Sequence, residues 1–225
     1  DYRPANVTLV VGPPQMPEKL RIEPAEIELG VGTTAQLRLF GQMKDGSEVD
    51  LTRAAQWPPQ LPDDKVVFSW YGFLEGIGEG TSQVTARYCA TPGGEPIEAV
   101  CDVRVKKVDF KSLEASVAPA PVGLARASRL NIDAVTQSGQ KYSVLGSSRL
   151  TTAISPSYLA SVNRGRLHGK AVGKGKLAAT FGENLTAGTQ IEVVEGLGVT
   201  GLTVTPEKLD MVVGQIADLN IVSPS

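Results

Sequence analysis

Strict alternation of apolar and polar side chains recurs along most of the chain. The clearest segments are residues 20–22, 27–29, 37–39, 84–88, 101–105, 130–134, 177–181 and 191–193. A period of two buries one face of each segment and leaves the other in water, as in antiparallel sheets. Turn signals such as Asp45-Gly46 and Ser138-Gly139 separate these segments. No capped stretch shows the 3.6-residue period of an amphipathic helix, so the pattern predicts an all-β protein.

The chain also repeats itself. The pattern Leu-x-Ile-x-Pro-x-x-Ile-x-Leu-x-x-Gly begins at Leu20, and its match begins at Leu202, at an offset of 182. A second pattern, Gly-x-Leu-x-Gly-x-x-x-Gly, begins at Gly72 and returns at Gly165, at an offset of 93. The two offsets indicate one repeated unit of about 90 residues, the size of an immunoglobulin-like sandwich of some seven short strands.

This repeat sets the expected domain boundaries. Residues 18–106 are predicted to form one sandwich (unit 1), residues 107–195 a second (unit 2), and residues 197–225 the opening strands of a third. Residues 1–17 hold a linker or the closing strand of a preceding unit, since Val7, Leu9 and Val11 resemble Cys101, Val103 and Val105. One closing strand and a few opening strands lack the middle of a sandwich, so the strand count predicts that the two ends do not complete each other between neighbouring molecules.

The alternation also predicts which side chains form the two cores. They are Leu20, Ile22, Leu37, Leu39, Trp57, Val84, Ala86, Tyr88, Val103 and Val105 in unit 1, and Leu130, Ile132, Leu167, Leu177, Ala179, Phe181, Ile191 and Val193 in unit 2. A one-residue slip in register would turn each of these to the opposite face.

The order of motifs resembles the group 2 bacterial immunoglobulin-like family (Big_2). The motifs that carry the resemblance are Leu20–Pro24, Gly32–Leu37, Asp45–Ser47, Asp50–Thr52, Trp57, Gly72–Gly80 and Val84–Ala86. Unit 2 departs from the pattern, because it has Val117 in place of Pro24, Ala125 in place of Gly32 and no tryptophan. The resemblance implies tandem immunoglobulin-like sandwiches of an exported bacterial protein.

Composition narrows the classes of function. Lysine and arginine total 22 against 24 aspartates and glutamates, so the net charge is −2. This balance argues against a nucleic-acid partner and against a polybasic membrane contact, and no apolar run is long enough for direct membrane insertion. With one histidine and two cysteines, we expect no catalytic residues, no cofactor and no metal site.

Three features of the sequence contain residue types that can take part in catalysis or ligand binding. His168 lies at an outward position of the alternation and lacks a neighbouring nucleophile motif. Residues 173–176, Gly-Lys-Gly-Lys, are predicted to form a β-turn with solvated lysines, because the glycine spacing of a phosphate loop is missing. The carboxylates of Asp63, Asp64 and four glutamates between residues 18 and 28 are predicted to line a solvated edge. A calcium site between domains is the alternative.

Two residue sets are candidate sites. Trp70, Tyr71 and Phe73 form a local aromatic cluster, which serves either as core or, if exposed, as a contact surface for a ligand. Cys89 and Cys101 flank a predicted hairpin around residues 91–96 and are a candidate disulfide, which an exported protein allows. Because alternation sends Cys89 outward and Cys101 inward, the bond requires a β-bulge near Cys89 or Ala99. The alternative is two free thiols.

The leading functional hypothesis is a structural spacer or adhesion module of a bacterial cell-surface or secreted protein. The resemblance implies such a role, since adhesins of the intimin and invasin type use tandem domains to hold a distal domain away from the cell. The partners are then neighbouring immunoglobulin-like domains of a longer chain, at an extracellular, cell-surface or periplasmic location. The alternatives are a module that binds cell-surface carbohydrate or protein, and accessory domains of a larger exported enzyme.

Overall fold

The computed structural model describes residues 7–13, 15–58, 64–69, 71–163, 165–195, 203–212 and 219–222. In chain order the strands are β1 (Thr8–Gly12), β2 (Lys19–Glu23), β3 (Glu26–Gly30), β4 (Thr34–Gln36), β5 (Arg38–Gln42), β6 (Glu48–Asp50), β7 (Val66–Ser69), β8 (Phe73–Gly76), β9 (Gly80–Tyr88), β10 (Ile97–Lys106), β11 (Phe110–Ala118), β12 (Val122–Gly123), β13 (Ala127–Thr136), β14 (Lys141–Ser143), β15 (Leu150–Ser155), β16 (Ala160–Asn163), β17 (Arg166–Gly169), β18 (Gly173–Phe181), β19 (Leu185–Val194), β20 (Thr203–Thr205), β21 (Lys208–Val212) and β22 (Asn220–Val222). These residues contain no helix, so the predicted all-β fold is confirmed. None of the described segments is a helix able to span a membrane.

Units 1 and 2 are immunoglobulin-like sandwiches built to one plan. In unit 2 the first layer has the strand order β11-β13-β17-β16. Strand β13 pairs with β17 at its beginning and with β14 at its end. The second layer has the order β12-β19-β18-β15. Unit 1 repeats the second layer as β3-β10-β9. Its first layer is divided into β2-β5-β6 and β4-β8-β7, because the single long strand β13 of unit 2 is represented in unit 1 by two strands that are interrupted at Leu37.

Each unit has its own apolar core. Leu37, Leu39 and Val84 are fully buried in unit 1, and Leu130, Ile132 and Leu177 are fully buried in unit 2. All of the predicted core positions are buried except Leu20 and Trp57, which are half-buried and pack against the first core. Trp57 stacks on Phe68 with ring centres 6.4 Å apart, and its indole N–H donates to the Thr52 carbonyl, so it borders the core with one polar end satisfied.

Prolines mark the point where each unit changes from one layer to the other. Pro24 lies between β2 and β3, which belong to opposite layers, and Pro206 lies between β20 and β21 in the same way. Proline suits this point because it has no N–H to offer a ladder. In unit 2, where Val117 stands in place of Pro24, the change of layer comes slightly later, at Pro119 and Pro121. The departure from the pattern therefore displaces the change of layer without removing it.

The turns of the two units share their backbone hydrogen bonds. Gly32 N–H donates to the Gly76 carbonyl, and at the equivalent place Ala125 N–H donates to the Gly169 carbonyl. Gly32 has a φ of +85°, and Ala125 keeps the same left-handed turn with a φ of +57°. A left-handed backbone costs an alanine about 1–2 kcal/mol that glycine does not lose. The fold of unit 2 therefore holds Ala125 in a strained conformation.

A third pair of sheets involves both ends of the described chain. Strand β1 pairs in parallel with β21, with Leu9 opposite Leu209 and Val11 opposite Met211. A separate two-stranded sheet joins β20 and β22. The ends thus pair with each other within one chain, an arrangement that the sequence did not predict. Two of the strands come together as a ribbon, and no complete third sandwich forms among the described residues.

We predict that Ala125→Gly stabilises unit 2. The substitution relieves the left-handed strain but adds chain entropy to the unfolded state, so the expected net gain in free energy of unfolding is about 0.5–1 kcal/mol. Urea denaturation of the whole chain measures it. The matched control is Ala178→Gly at an exposed position inside β18, which should lose roughly 0.5–1 kcal/mol. Equal effects of the two substitutions would contradict the assignment of strain.

Candidate functional site: the joint between the two sandwiches

The residues that the sequence offers as candidates for catalysis or ligand binding do not form one site. His168 lies half-buried on β17, opposite Ala127 on one side and Ser161 on the other. The described part of the chain holds no group of three or more histidines, cysteines, aspartates and glutamates placed to bind a metal ion. Residues 173–176 open strand β18, so the predicted β-turn is wrong; the ladder between β18 and β19 starts at Gly173. Lys174 and Lys176 are exposed, as expected.

The acidic residues at the start of unit 1 follow the edges of its sheets. Glu23 forms an ion pair with Arg21, and Glu28 forms one with Lys106 on the neighbouring strand β10. Asp64 is exposed, and Asp63 lies outside the described residues. The described carboxylates of this set are exposed, and two of them pair with basic side chains, which is the solvated-edge arrangement that the sequence predicted.

The aromatic cluster divides between two environments. Trp70 lies outside the described residues, and Tyr71 is exposed, with the Arg53 guanidinium 5.8 Å from its ring centre. Phe73 is half-buried and reaches unit 2, where its ring tip lies close to Gly146. Phe73 is therefore a contact between the two sandwiches and is not part of an exposed ligand surface.

The structure corrects the candidate disulfide. Both cysteines are free, and strands β9 and β10 pair without the bulge that the bond required. Cys101 lies opposite Val84, whereas Cys89 lies just beyond the pair of Tyr88 and Ile97. Five residues of strand separate the two thiols along the ladder, about 16 Å at 3.3 Å per residue. That separation is more than twice what a disulfide spans between Cα atoms.

The joint between units 1 and 2 begins with a short connector and an aromatic cluster. Residues 107–109 alone connect β10 to β11. Immediately afterwards the Phe110 ring meets the edges of Tyr142 and Phe181, with ring centres 5.8 and 6.0 Å away. Burial raises the pKa of Tyr142, and the Glu28 carboxylate of unit 1 adds to the effect while Lys106 opposes it. The Phe110 ring also lies against unit 1, because a Cβ added at Gly30 would be 3.0 Å from its tip. The first strand of unit 2 therefore begins directly beside the end of unit 1.

A buried carboxylate forms the centre of the joint. Glu75 on β8 is only 8% exposed. It accepts hydrogen bonds from the Ser147 hydroxyl at 2.8 Å, the Ser148 hydroxyl at 2.9 Å and the Ser148 N–H at 3.0 Å, all donated by unit 2. A buried charge is costly unless it is fully hydrogen-bonded, and bonds to charged groups contribute about 1.5–3 kcal/mol each. The carboxylate therefore fixes one loop of unit 2 on the face of unit 1.

Close backbone approach completes the contact. Thr34, which is also buried, directs its hydroxyl at the carbonyls of Ser143 (3.3 Å) and Leu145 (3.0 Å). A Cβ added at Gly32 would lie 2.8 Å from the Arg149 side chain and 3.0 Å from the Phe181 ring. Glycine at position 32 thus serves two needs, a left-handed turn and room for unit 2.

Sequence reasoning missed this site. Glu75 occupies a variable place in the Gly-x-Leu-x-Gly pattern, next to the core residue Leu74, and alternation assigns it to the solvent face. It does face out of the core of unit 1, but unit 2 covers it. The equivalent position in unit 2 is His168, so the repeat itself contains no signal for the contact. The one sequence signal for a restricted joint is the short, glycine-free connector after Lys106.

Comparisons with known proteins find similar solved structures but no family. No protein-family model matches the chain, and no curated protein matches it. Domains 4–9 of the surface layer protein SbsC are similar at 14% identity and a TM-score of 0.41, over 85% of this chain and 32% of that chain. Domains 5–6 of the S-layer protein SbsC are similar at 13% identity and a TM-score of 0.38, over 80% and 98%. The fibronectin(III)-like modules of Clostridium thermocellum CbhA are similar at 14% identity and a TM-score of 0.28, over 79% and 94%. The chain spans about a third of the first of these structures, and at such scores the similarities say nothing of function.

We predict that Glu75→Ala loosens the joint. The substitution leaves the Ser147 and Ser148 donors without their acceptor, at an expected cost of roughly 2–3 kcal/mol in the coupling between the units. Spin labels at the exposed positions Gln83 and Thr186, with both native cysteines replaced, report the distribution of distances between the units. The distribution should broaden in Glu75→Ala. It should stay narrow in Glu98→Ala, which removes an exposed carboxylate paired with Arg87 within unit 1. Equal widths in the two variants would count against the role of Glu75.

We predict that the native protein exposes one reactive thiol. Cys89 is half-buried and its thiol donates to the Thr91 carbonyl, whereas Cys101 is fully buried. A thiol reagent should therefore label one cysteine in the folded chain and two after denaturation without reductant. Fewer than two in the denatured chain would restore the disulfide.

The Cys101 thiol also predicts a loss of stability in alkali. Burial, with the Asp102 and Glu26 carboxylates adding to it, raises the pKa of Cys101 from 9.0 to about 11. The unfolded thiol ionises first, so its contribution is intact below pH 9 and is lost as the pH rises towards 11. The loss should reach roughly 2–3 kcal/mol. Urea denaturation between pH 8 and pH 11 measures it, and Cys101→Ala should remove this part of the pH slope; an unchanged slope would refute it.

Proposed function

We propose that the chain is a structural spacer in a multi-domain bacterial cell-surface or secreted protein. In this proposal, tandem sandwiches hold other parts of the protein away from the cell, and the chain has a mechanical role and no catalytic one. The observation that carries the proposal is the buried joint at Glu75, which couples two sandwiches through their ends.

A spacer needs joints that resist bending, because freely jointed modules coil and lose reach. Domains in one chain move relative to each other by default unless their interface is substantial. Here a connector of residues 107–109 contains no glycine, and contacts between the two units beside it restrain unit 2. The Phe110 and Phe181 rings of unit 2 lie against Gly30 and Gly32 of unit 1 and supply apolar burial. The hydrogen bonds of Glu75 and Thr34 fix the orientation of unit 2. Together they restrict both bending and rotation about the connector.

The proposed partners are neighbouring immunoglobulin-like units, and the proposed location is outside the cytoplasm. Support for both comes from the sequence resemblance to the group 2 bacterial family and from the repeat that continues in residues 202–221. Accessory domains of an exported enzyme would use the same joint. A carbohydrate- or protein-binding module is less well supported, because Phe73 belongs to the joint and only Tyr71 of the described cluster is exposed.

The test is whether units 1 and 2 tumble as one body. Backbone ¹⁵N relaxation of the whole chain should fit a single anisotropic rotational diffusion tensor for both units. Gly32→Ala places a methyl group against Arg149 and Phe181 and should separate the tensors. Gly139→Ala is the matched control, because Gly139 has the same φ of +85° with nothing within 4 Å of the added Cβ.

Independent tumbling of the two units in the unsubstituted chain would overturn the spacer proposal. Carbohydrate binding that disappears in Tyr71→Ala would favour the binding module in its place.

A further inference from the structure

Strand β15 forms an open edge on the side of unit 2. It is the outermost strand of the second layer, and among the described residues it pairs only with β18. The pairing keeps one register from Leu150 to Ser155 without a bulge. A regular, extended edge of this kind is a template on which a further strand can pair.

This edge lacks the charges that natural proteins place on edge strands to prevent such pairing. Every other outermost strand of five or more residues in units 1 and 2 carries at least one charged side chain. Examples are Arg21 on β2, Glu28 on β3, Arg87 on β9 and Glu114 on β11. Strand β15, with the sequence Leu-Thr-Thr-Ala-Ile-Ser, has no charge and no proline.

The backbone of β15 directs hydrogen-bonding groups to its open side at alternate residues. The Gly182 N–H donates to the Arg149 carbonyl, so Arg149 faces β18. Because this direction alternates along a strand, Thr152 and Ile154 turn their N–H and C=O groups away from β18, and Leu150 turns its C=O the same way. These groups are available to an additional strand.

The side chains of the same three residues extend the core of unit 2 to its margin. They lie opposite three buried residues of β18, namely Phe181, Ala179 and Leu177. Leu150 and Ile154 pack against the core but are only half-buried, and Thr152 between them is exposed. The margin at β15 therefore leaves apolar surface uncovered beside the free backbone groups.

We propose that β15 of a second copy of this chain pairs with this edge, antiparallel to the first, on a two-fold axis through Thr152. This centre places Leu150 of each copy opposite Ile154 of the other, and Thr152 opposite Thr152. Cross-strand pairs of apolar residues and of threonines stabilise a sheet. The free backbone groups of the two strands meet each other in the same register.

The occupant is a second copy because the edge matches itself. On the core face the order apolar, threonine, apolar is the same in both directions from Thr152, and β15 brings no charge to the axis. The association is isologous and closes at the dimer, in which two four-stranded layers form one continuous sheet. The proposal goes beyond the spacer role, because a monomeric chain with a firm joint would still be a spacer.

Sedimentation equilibrium of the whole chain tests the dimer. The unsubstituted chain should dimerise as its concentration rises. Thr152→Lys places two like charges opposite each other on the axis and should weaken dimerisation at least about tenfold. The matched control is Ala178→Lys, at an exposed position of β18 whose two edges are already occupied by β15 and β19; it should dimerise like the original chain. A chain that stays monomeric, or a dimer that Thr152→Lys leaves intact, would overturn the proposal.

A proline at the same position separates pairing from folding. Because the Thr152 N–H faces the open side, Thr152→Pro removes no bond to β18, and proline is tolerated at such edge positions. The variant should keep the urea denaturation midpoint of the original monomer within a small shift and should dimerise at least about tenfold more weakly. A folded Thr152→Pro variant that dimerises normally would contradict the proposed pairing.

Cross-linking tests the register. In a Cys89→Ser background, Thr152→Cys should form a disulfide between copies under mild oxidation, because hydrogen-bonded antiparallel partners lie about 5.5 Å apart between Cα atoms, within the reach of the bond. Thr151→Cys, also at an exposed threonine of β15, should cross-link much less, since it lies opposite Ala153 of the other copy and not opposite itself. Equal cross-linking at the two positions would show a dimer of another geometry and would overturn the proposed axis.

Discussion

The parallel pairing between the second strand and the last strand of a sandwich is the contact on which the rest of this structure depends. It appears as β3 with β10, as β12 with β19, and as β21 with β1. It exists only because the chain leaves the first layer after its opening strand, at Pro24, at Pro119 to Pro121, and at Pro206. A proline at that point ends one ladder and lets the next strand join the opposite layer. Without this change of layer the last strand would lose one of its neighbours.

The same pairing places the joint. Because β3 runs beside β10, the turn at residues 30–34 emerges at the end of unit 1 where β10 continues into the connector, and the Val31 N–H bonds to the Lys106 carbonyl there. Gly32 and Thr34 then meet unit 2 directly, beside Glu75 on β8. A local strand contact thus determines which residues reach the next domain. The mechanical role proposed for the chain rests on that arrangement and on the Glu75 contact at its centre.

The backbones of units 1 and 2 follow the same plan, but the side chains at the ends of the two units differ. The hydrogen bonds of the turns at Gly32 and Ala125 are the same, and so are the left-handed conformations. The side chains differ, because unit 1 presents Gly32 and Glu75 where unit 2 presents Ala125 and His168. Alanine tolerates its strained turn because the surrounding hydrogen bonds hold it, at a cost that a glycine would avoid. Glu75 therefore has no acidic counterpart at the equivalent position of unit 2.

The sequence by itself determined the all-β class, the repeat and nearly every core position, because period-two alternation is a local consequence of strand geometry. It identified Leu37, Leu130 and Cys101 as inward-facing, and each is buried. It could not show that residues 173–176 begin a strand, since ladder pairing depends on a neighbour distant in sequence. The disulfide that it offered between Cys89 and Cys101 is wrong. The separation of two thiols on adjacent strands depends on the register of the strands, which turn signals alone do not determine. Only the tertiary structure decided that Glu75 is buried and that β1 pairs with β21. Alternation shows which face of a strand lies in its own core, but it does not show which other unit or strand then covers the opposite face or the edge.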